Sequence, residues 1–582
     1  MGISNSKLEP DELKTFKKLP ESVHLADINV PEKIENRRLT NGKWLIILGV
    51  FTLIFLPFMA YTLSYSDIQR LFVGYDQCGN TCGKVNYRWE GIPCSGKNKT
   101  NYPYLEIYDS DRGNHNGFTW ILQPRSCVEN CRNDQIELNG KCFASRERRD
   151  IYGRTKHDMD INDYFSTVKM HIIISCLFSI VIATGILMLF RHAITFMVWF
   201  ILIASVGAFI VLTAILWFFA LSIETDYMYS TNHGKNLRIL ASVFTVIAII
   251  MVVLLIWSRK KIKLVIMLLN ETTRAVLDMP GLIFVPVVSC VATIAILFIF
   301  GALYMALLSA GILSKIGSEF YFYEQNTAMI ITLIYGLVLF LWLCQCIQGT
   351  QFMIISGSIS NWYFTRDKVF LRSPITKAIA ITFKRHMGTV VFGSFILTIV
   401  QIIKSAIQSL TKNDKFACLV EFCLDQMEAF LKFLSRNAYI VTAIHGQAFL
   451  RSGKRAARLI MQNIRDIIAI NYIGDLIIGM AVLLVMILSL LVCWLILFMF
   501  PEETPEVGHL FTYLIVGIVS LFVGAITFGV YETTMETLFI CYCEDLLINN
   551  GMEKPFFMSR NLMEFVEESK KVYRSKKNTN NI

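Results

Sequence analysis

The sequence predicts an all-α polytopic membrane protein of about ten transmembrane helices, with a large disulfide-rich extracellular loop between the first two. Three observations predict it. Of the 582 residues, 54% are apolar and only 17% charged, with a mean hydropathy of +0.50, against roughly 45–50% apolar and about 25% charged in soluble domains. Apolar runs long enough to cross hydrocarbon recur along the chain, and the polar stretch after the first of them holds six of the fifteen cysteines. A soluble chain of this length would divide into domains whose polar shells this composition cannot supply. The thirteen prolines are too few for a collagen-like or linker-rich chain, and no segment has the low hydropathy of a long disordered region.

A spanning helix needs about 20 mostly apolar residues, because hydrocarbon offers no partner to a backbone amide outside a helix or closed barrel. Seven runs meet this: Trp44–Ser64, Met170–Phe190, Ile194–Leu221, Ile239–Trp257, Gly281–Ala310, Met329–Ile355 and Gly474–Phe500; an eighth, Leu510–Thr533, is slightly more polar. The roughly ten-residue alternating stretches of barrel strands are absent from the sequence. Between Ser356 and Tyr472 the signal weakens. His386–Gln408 is apolar enough to span, whereas Gln426–Gly446 carries Glu428, Lys432, Arg436 and His445, which are expensive in lipid. A hairpin of these two gives ten spans; if they lie on or partly within one face, the count is eight.

Lys and Arg concentrate in one set of short loops: Arg191, Arg259–Lys263 and Arg274, Arg366–Arg385, and Arg451–Arg465. The opposite set holds only Lys235, Arg238 and Lys315, alongside acids such as Glu224, Glu319 and Glu502. The basic loops should be cytosolic, which puts both termini inside and reads the net charge of +10 as attraction to the anionic cytosolic leaflet. Nucleic-acid binding would need a basic, aromatic-studded soluble domain, and the sequence has none. The expected organisation is a cytosolic tail (1–43), a first helix (44–64), an extracellular Cys-rich loop (65–168), a bundle (169–540, spans near 170–190, 194–221, 239–257, 281–310, 329–355, 386–408, 426–446, 474–500 and 510–533) and a cytosolic tail (541–582).

In the loop, Cys78, Cys82, Cys94, Cys127, Cys131 and Cys142 form an even cluster on the oxidising side and read as a disulfide framework with fifteen formal pairings. A zinc site is the competing reading, since Cys78–Cys82 and Cys127–Cys131 have a tolerable spacing, but no histidine pair accompanies them. Asn98-Lys99-Thr100 is a glycosylation sequon on the correct side; Asn270-Glu271-Thr272 faces the cytosol and should go unused. The other nine cysteines lie in or beside spans as small apolar residues. Met1-Gly2-Ile3-Ser4-Asn5-Ser6 fits the acylation pattern for myristoylation at Gly2. The basic C-terminal run around Lys570, Arg574 and Lys577 should rest on anionic lipid.

No P-loop, nucleophile elbow, zincin or Rossmann motif occurs, and the nine histidines form no metal-ligand pair, so neither an enzyme, a cofactor nor a metal is expected. Function should lie with polar and aromatic residues inside spans. Tyr335, Trp342, Gln345, Gly349 and Phe352 recur at spacings of three, four or seven, with Gln348 nearby, which places them on one helical stripe. A glutamine in lipid needs a partner, so the stripe should face the bundle interior, either for interhelical hydrogen bonding or along a substrate path. Glu532 and Glu536, at i and i+4, sit near the cytosolic end of the last span.

Four stretches carry a family resemblance: KKIKLVIMLLNETTRAVLDMPGLIFVP at 260–286, SGSISNWYFTRDK at 356–368, FKRHMGTVVFGSFILTIVQIIK at 383–404 and FLKFLSRNAYIVTAIHGQAFLRSGKRAARLIMQN at 430–463. In this order they resemble the choline transporter-like proteins, a solute carrier family, most specifically through the run R-N-A-Y-[IV]-x-x-A-I-x-G-x-x-F. The resemblance is close over roughly 255–560 and extends to the N-terminal half by layout. It implies a multispan carrier of choline, in places ethanolamine, in the plasma membrane or in some cases a mitochondrial membrane, supplying phosphatidylcholine synthesis, independent of sodium and with proton exchange proposed. It favours ten spans. The chain departs from the family pattern at Thr389, where Ser is usual, at His445, where Tyr is common, and at Ser356-Gly357-Ser358, which replaces a more alanine-rich run; His445 bears on pH response or substrate preference.

The expected mechanism is alternating access with a small organic cation held by aromatic faces near the midplane. Spacing alone nominates Trp342, Tyr335 and Tyr439 for cation–π contact, and Gln345, Gln348 and Asn437 for the substrate hydroxyl. It nominates Glu532 and Glu536 for charge compensation or proton exchange, while Arg436 reads as a structural hydrogen-bond hub. Two other classes stay open: a channel lined by the Trp342–Phe352 stripe, and a non-transporting interaction protein that uses the cysteine-rich loop.

Overall fold

The computed structural model describes residues 37–107, 124–132, 135–138, 140–144, 161–225, 231–257, 259–316, 320–411, 417–499, 506–549, 556–559 and 563. Gly2 and the basic C-terminal run lie outside them. The chain divides into two compact units, one of residues 43–163 and 291–345, the other of 1–42, 164–290 and 346–582.

In the first unit, helix α1 (Lys43–Ser64) carries no charge after Lys43. The short helix α2 (Ile68–Phe72) follows it, and then a four-stranded sheet of β1 (Tyr104–Ile107), β2 (Arg125–Val128), β3 (Gln135–Leu138) and β4 (Lys141–Ala144). The strand order is β2-β1-β4-β3, with Leu105 opposite Cys127 in the antiparallel pair and Glu106 beside Cys142 in the parallel one. The core of this small domain is little more than Cys82, Leu105 and Cys127. A core that small stabilises a fold weakly, and three disulfides supply the constraint: Cys78–Cys94, Cys82–Cys127 and Cys131–Cys142. All six loop cysteines are thereby paired as a disulfide framework, which removes the zinc alternative.

Asp76 turns the chain at the start of the framework, its Oδ1 accepting the amides of Cys78 (3.0 Å) and Asn80 (2.8 Å). The hairpin of β5 (Ile312–Ile316) and β6 (Phe320–Glu324) is held to this domain by two buried arginines. The Arg125 guanidinium donates to the Tyr321 carbonyl at 2.9 Å, and Arg70 lies 3.5 Å over the Tyr323 ring. The Tyr323 hydroxyl donates to Gly79 O at 2.6 Å. Among the helices of this unit, Thr62 donates to Thr332 at 3.0 Å, an interhelical bond of the kind that joins helices in lipid.

The second unit begins with α3 (Ile161–Thr225), continuous for 65 residues except at Ala193, whose φ of −134° and ψ of 32° break it. The predicted spans 170–190 and 194–221 are its two halves; no loop of separate length divides them. After α4 (Thr231–Trp257), the amphipathic α5 (Arg259–Asp278) buries Ile262, Val265, Leu268, Leu269 and Val276. Two helices are shared with the first unit, α6 (Phe284–Ser309) and the 38-residue α7 (Thr327–Phe364). Next come α8 (Pro374–Ile381), a single π-helical turn (Thr382–His386), α9 (Met387–Thr411) and α10 (Ala417–His445). Last are α11 (Phe449–Gln462), α12 (Ile464–Met499) and α13 (Glu506–Ile548).

Among the described residues, seven helices are long and apolar enough to cross a membrane, and α4 contributes a shorter apolar stretch, Leu237–Val253. The segment Val168–Ser222 counts once among the seven, although its 55 residues would reach about 80 Å if straight. α10 is not among the seven, because its charges lower its hydropathy. Those charges are answered locally: Glu428 meets Lys404 of α9 and Lys432, each at 2.7 Å. α9 and α10 thus form an antiparallel pair laced by ions at one end.

Candidate functional site

In the second unit, a cluster of charge on apolar helices marks the site, with Glu532 half-buried and Arg436 and Asp475 exposed. Arg436 of α10 points at α13, where its Nη1 donates to Glu532 Oε1 at 2.7 Å and stands 3.7 Å from Glu536 Oε1. Its guanidinium lies 5.6 Å from the centre of the Phe352 ring on α7. A third carboxylate, Asp475 of α12, acts on both Arg436 and Glu536 through its charge. Glu536 is buried, and its Oε2 finds no hydrogen-bond partner among the described residues. Three carboxylates and one guanidinium give the cluster a formal charge of −2 if all are ionised. That charge favours a cation or bound protons.

About two and a half helical turns further along α10, at His445, a second cluster is fully balanced. Arg455 of α11 grips Glu544 of α13 with two arms, Nε to Oε1 and Nη2 to Oε2, both 2.6 Å. His445 Nε2 lies 3.0 Å from the same Oε1. All three side chains are buried, and His445 Nδ1 has no partner among the described residues.

The segment before α1 is seated in this unit. Arg37 donates through Nη2 to the carbonyl of Ala443 at 2.8 Å, Thr40 contacts His386 Nδ1 at 2.9 Å, and Thr389 donates to Thr40 Oγ1 at 2.7 Å. Asn41 Oδ1 accepts the amide of Phe449 at 3.1 Å. A Cβ on Gly388 would sit 2.5 Å from Asn41 O, so only glycine leaves room for this segment. Thr389, a departure from the family pattern, is one of the residues that hold it.

The residues nominated by spacing separate into groups. Tyr335 stacks on Phe51 with centroids 4.2 Å apart, and its hydroxyl donates to Phe51 O at 2.9 Å. Trp342 has no exposed surface and meets the same Phe51 edge-on at 5.5 Å. Both rings are therefore packed on α1 within the first unit. Gln345 is half-buried and Gln348 exposed. In the second unit, Asn437 is buried and donates to Phe433 O within its own helix. Tyr439 is buried against α9 and α11, donating to Val390 O at 3.3 Å and lying 5.5 Å from the Phe449 ring. Glu532 and Glu536 are brought together with Arg436, the hub that spacing suggested. Asn98 is exposed in the disulfide-bonded domain, its Oδ1 accepting the Thr100 amide at 3.0 Å.

Sequence reasoning passed over Asp475 and Glu544. The signal was present, because both are acids inside otherwise apolar stretches, and an ionisable residue within a span is a site candidate by default.

A profile of the plasma-membrane choline transporter family matches residues 242–547. The chain belongs to that family. Its relatives within the choline transporter family match along nearly their whole length: choline transporter-like protein 1 of Torpedo marmorata is 26% identical over 93% of this chain and 94% of its own. Choline transporter-like protein 3 of Homo sapiens is 27% identical over 92% of each, and choline transporter-like protein 2 of Dictyostelium discoideum is 24% identical over 87% and 91%. The family match contains every residue of the two charged clusters: Arg436, His445, Arg455, Asp475, Glu532, Glu536 and Glu544 all lie inside 242–547. A multi-pass transporter of this family is consistent with the apolar helices and the disulfide-bonded domain described above.

Proposed function

We propose that the protein carries choline, or a closely related small organic cation such as ethanolamine, across the membrane by alternating access. Both termini lie in the cytosol, and the cargo supplies phospholipid synthesis. One observation carries the reading beyond family membership: Glu532 and Glu536 flank a single guanidinium at 2.7 and 3.7 Å, with Asp475 acting on it through charge, and Glu536 keeps a buried carboxylate oxygen without a partner among the described residues.

In this reading Arg436 is a tethered cation that the cargo displaces. A quaternary ammonium ion cannot donate a hydrogen bond, but it pairs with carboxylates through charge and rests on an aromatic face. The Phe352 ring beside Arg436 supplies that face. A cation moving inward gains about 2.3 kcal/mol per 100 mV of inside-negative potential. A proton leaving by way of Glu532 or Glu536 in exchange would cancel that charge movement. The nominated aromatics Tyr335, Trp342 and Tyr439 then act by packing, since their ring contacts are with protein, and the remaining polar candidates Gln345, Gln348 and Asn437 flank the path.

The test is radiolabelled choline uptake into proteoliposomes, with and without an imposed pH gradient, in wild type and Glu536→Gln. Saturable uptake in wild type, with a loss of tenfold or more in the variant, is expected. Undiminished uptake in the variant would discard the site and keep the carrier. A monodisperse wild type that moves neither choline nor ethanolamine under any gradient would overturn the carrier.

A further inference from the structure

Residues 37–41 form a strap along three parts of the second unit: the π-helical turn with the first residues of α9, the end of α10, and the start of α11. Its anchors are polar. The Thr40 amide donates to Arg385 O at 2.9 Å, and Arg37 donates to the Ala443 and Ile444 carbonyls near the end of α10. Asn41 accepts the amide of Phe449, the first residue of α11. The apolar member, Leu39, is 56% exposed. Each bond that seats the strap replaces one to water, so the net hold of such bonds is modest. With so little apolar burial, the strap belongs to the segments that open locally while the rest of the fold stays closed.

The seat is nonetheless tight around one oxygen. Thr40 is 6% exposed, and its Oγ1 has three close neighbours: Thr389 Oγ1 at 2.7 Å, His386 Nδ1 at 2.9 Å and Arg385 O at 3.3 Å. Below it, a Cβ on Gly388 would meet Thr40 O at 2.6 Å. These contacts leave no room on the oxygen for a tetrahedral substituent, and Arg385 O, itself an acceptor, would repel an anionic one.

The strap reads Arg37-Arg38-Leu39-Thr40-Asn41. Arginines three and two places before a hydroxyl residue form the charge pattern that basophilic serine/threonine kinases read with carboxylates of their substrate groove. Arg38 is exposed, whereas Arg37 and Thr40 are buried in the seat, so a kinase can engage the pattern only when the strap is open.

We propose that Thr40 is a phosphorylation site for a basophilic serine/threonine kinase, and that the phosphoryl group bars the strap from its seat. The γ-phosphorus of Mg-ATP bonds to Thr40 Oγ1 as its bond to the β–γ bridging oxygen breaks; ADP leaves, and the hydroxyl proton passes to the kinase's catalytic carboxylate. The added charge of about −2 then occupies the place where Thr389 and His386 met a neutral hydroxyl. Without the strap, the Phe449 amide at the start of α11 and the carbonyls near the end of α10 lose the partners it supplied. The inference rests on the cytosolic N-terminus of the proposed function, since ATP is found on that side.

The test uses the purified full-length protein in detergent micelles, where either face is open to the enzyme and no transport is needed. It is incubated with Mg-ATP and the catalytic subunit of a cyclic-AMP-dependent kinase, and phosphate on Thr40 is read by peptide mass spectrometry. Wild type should be modified and Thr40→Ala should not be modified on this peptide. Arg38→Gln, which alters recognition and no anchor, should slow the reaction at least tenfold. Thr389→Val, which removes the donor to Thr40 Oγ1, should speed it severalfold by opening the strap more often; Asn41→Ala serves if that variant misfolds. Hydrogen exchange of the Thr40 and Phe449 amides should quicken at least tenfold after modification. No phosphate on Thr40 in wild type or the loosened variants, an Arg38→Gln rate equal to wild type, or modification that leaves both amides as protected as before overturns the proposal. So does an N-terminal epitope that antibody reaches in intact cells, a result that leaves the carrier to be judged by choline uptake.

Discussion

Arg455 and Glu544 meet through two parallel hydrogen bonds of 2.6 Å, and the carboxylate has no exposed surface. One partner stands on the amphipathic α11 and the other near the end of α13, with His445 of α10 closing on the same oxygen. Three helices are therefore located by one carboxylate. Desolvating such a pair is costly, and removing one member leaves the other charged and unanswered.

Glu544→Gln and Arg455→Met should each destabilise the protein strongly, by about 3–5 kcal/mol. Joint replacement by apolar residues of similar volume, Arg455→Met with Glu544→Leu, should recover much of that loss. Thermal unfolding of the purified variants reads the difference. Equal losses in single and joint variants would show that the pair does not act as a unit.

Asp475→Asn removes one charge from the cluster around Arg436 without changing its volume. If the cluster holds the cargo cation, uptake should fall severalfold while the unfolding midpoint stays near that of wild type. A fall in midpoint without a change in the half-saturating choline concentration would make Asp475 a packing residue.

Gly393 has no room for a methyl group, since a Cβ there would lie 2.4 Å from the Tyr439 hydroxyl and 2.6 Å from Phe449. Gly393→Ala should cost about 1–3 kcal/mol by overpacking. Adding Tyr439→Phe removes the nearest atom and should return part of it. The unfolding midpoints of the single and double variants test this; a double variant no more stable than Gly393→Ala would place the crowding elsewhere.

Lys368 is held down by burial to about 8, from an ordinary 10.5, with Asp278 and Glu271 opposing the shift. Its other charged neighbours, in the cavity lined by α5 and the turn after α7, are Arg274 and Arg366. Because the folded state releases this proton first, the unfolded chain binds more protons between about pH 8 and 10.5. Wild type should therefore gain stability relative to Lys368→Gln as the pH rises through that window, and show no relative change below it. Midpoints measured at pH 7, 8.5 and 10 decide it, and a relative loss above pH 8 would reverse the sign.

The bond Cys82–Cys127 closes a loop of 45 residues, for which chain entropy predicts about 4 kcal/mol of stabilisation. Cys82→Ser with Cys127→Ser should accordingly lower the yield of folded protein at 37 °C far more than loss of the sequon at Asn98. Surface expression of the two variants compares them.

Hydropathy located the helices because burying apolar length in lipid is a local requirement, readable twenty residues at a time. It separated α3 into two spans at Arg191 and His192, but it could not show that the helix continues through a single distorted residue, Ala193. A disulfide framework was readable from six cysteines in a polar stretch, whereas their pairing was not, since it depends on how β1, β2 and β4 align. Among the candidate residues, Glu532 and Glu536 were visible as paired acids. Asp475 joins them only through the packing of α12 on α13, where Gly524 lets Val482 come close. Tyr335 and Trp342 shared a stripe as expected, but a stripe does not say what it faces, and here Phe51 of α1 covers it. The seat of Arg37 and Thr40 joins positions about 350 to 400 residues apart, and no periodicity encodes such a contact.

The Cys82–Cys127 bond also governs how the molecule would respond to a protease. A cut anywhere between Ile107 and Arg125 would separate the two strands β1 and β2 in sequence, yet both fragments would migrate as one band until a reductant was added. The N-terminal piece, with α1, and the much longer C-terminal piece would then part. A comparison of reduced and unreduced gels after surface digestion therefore reports two things together: on which side of the membrane the loop lies, and whether this bond has formed in the cell.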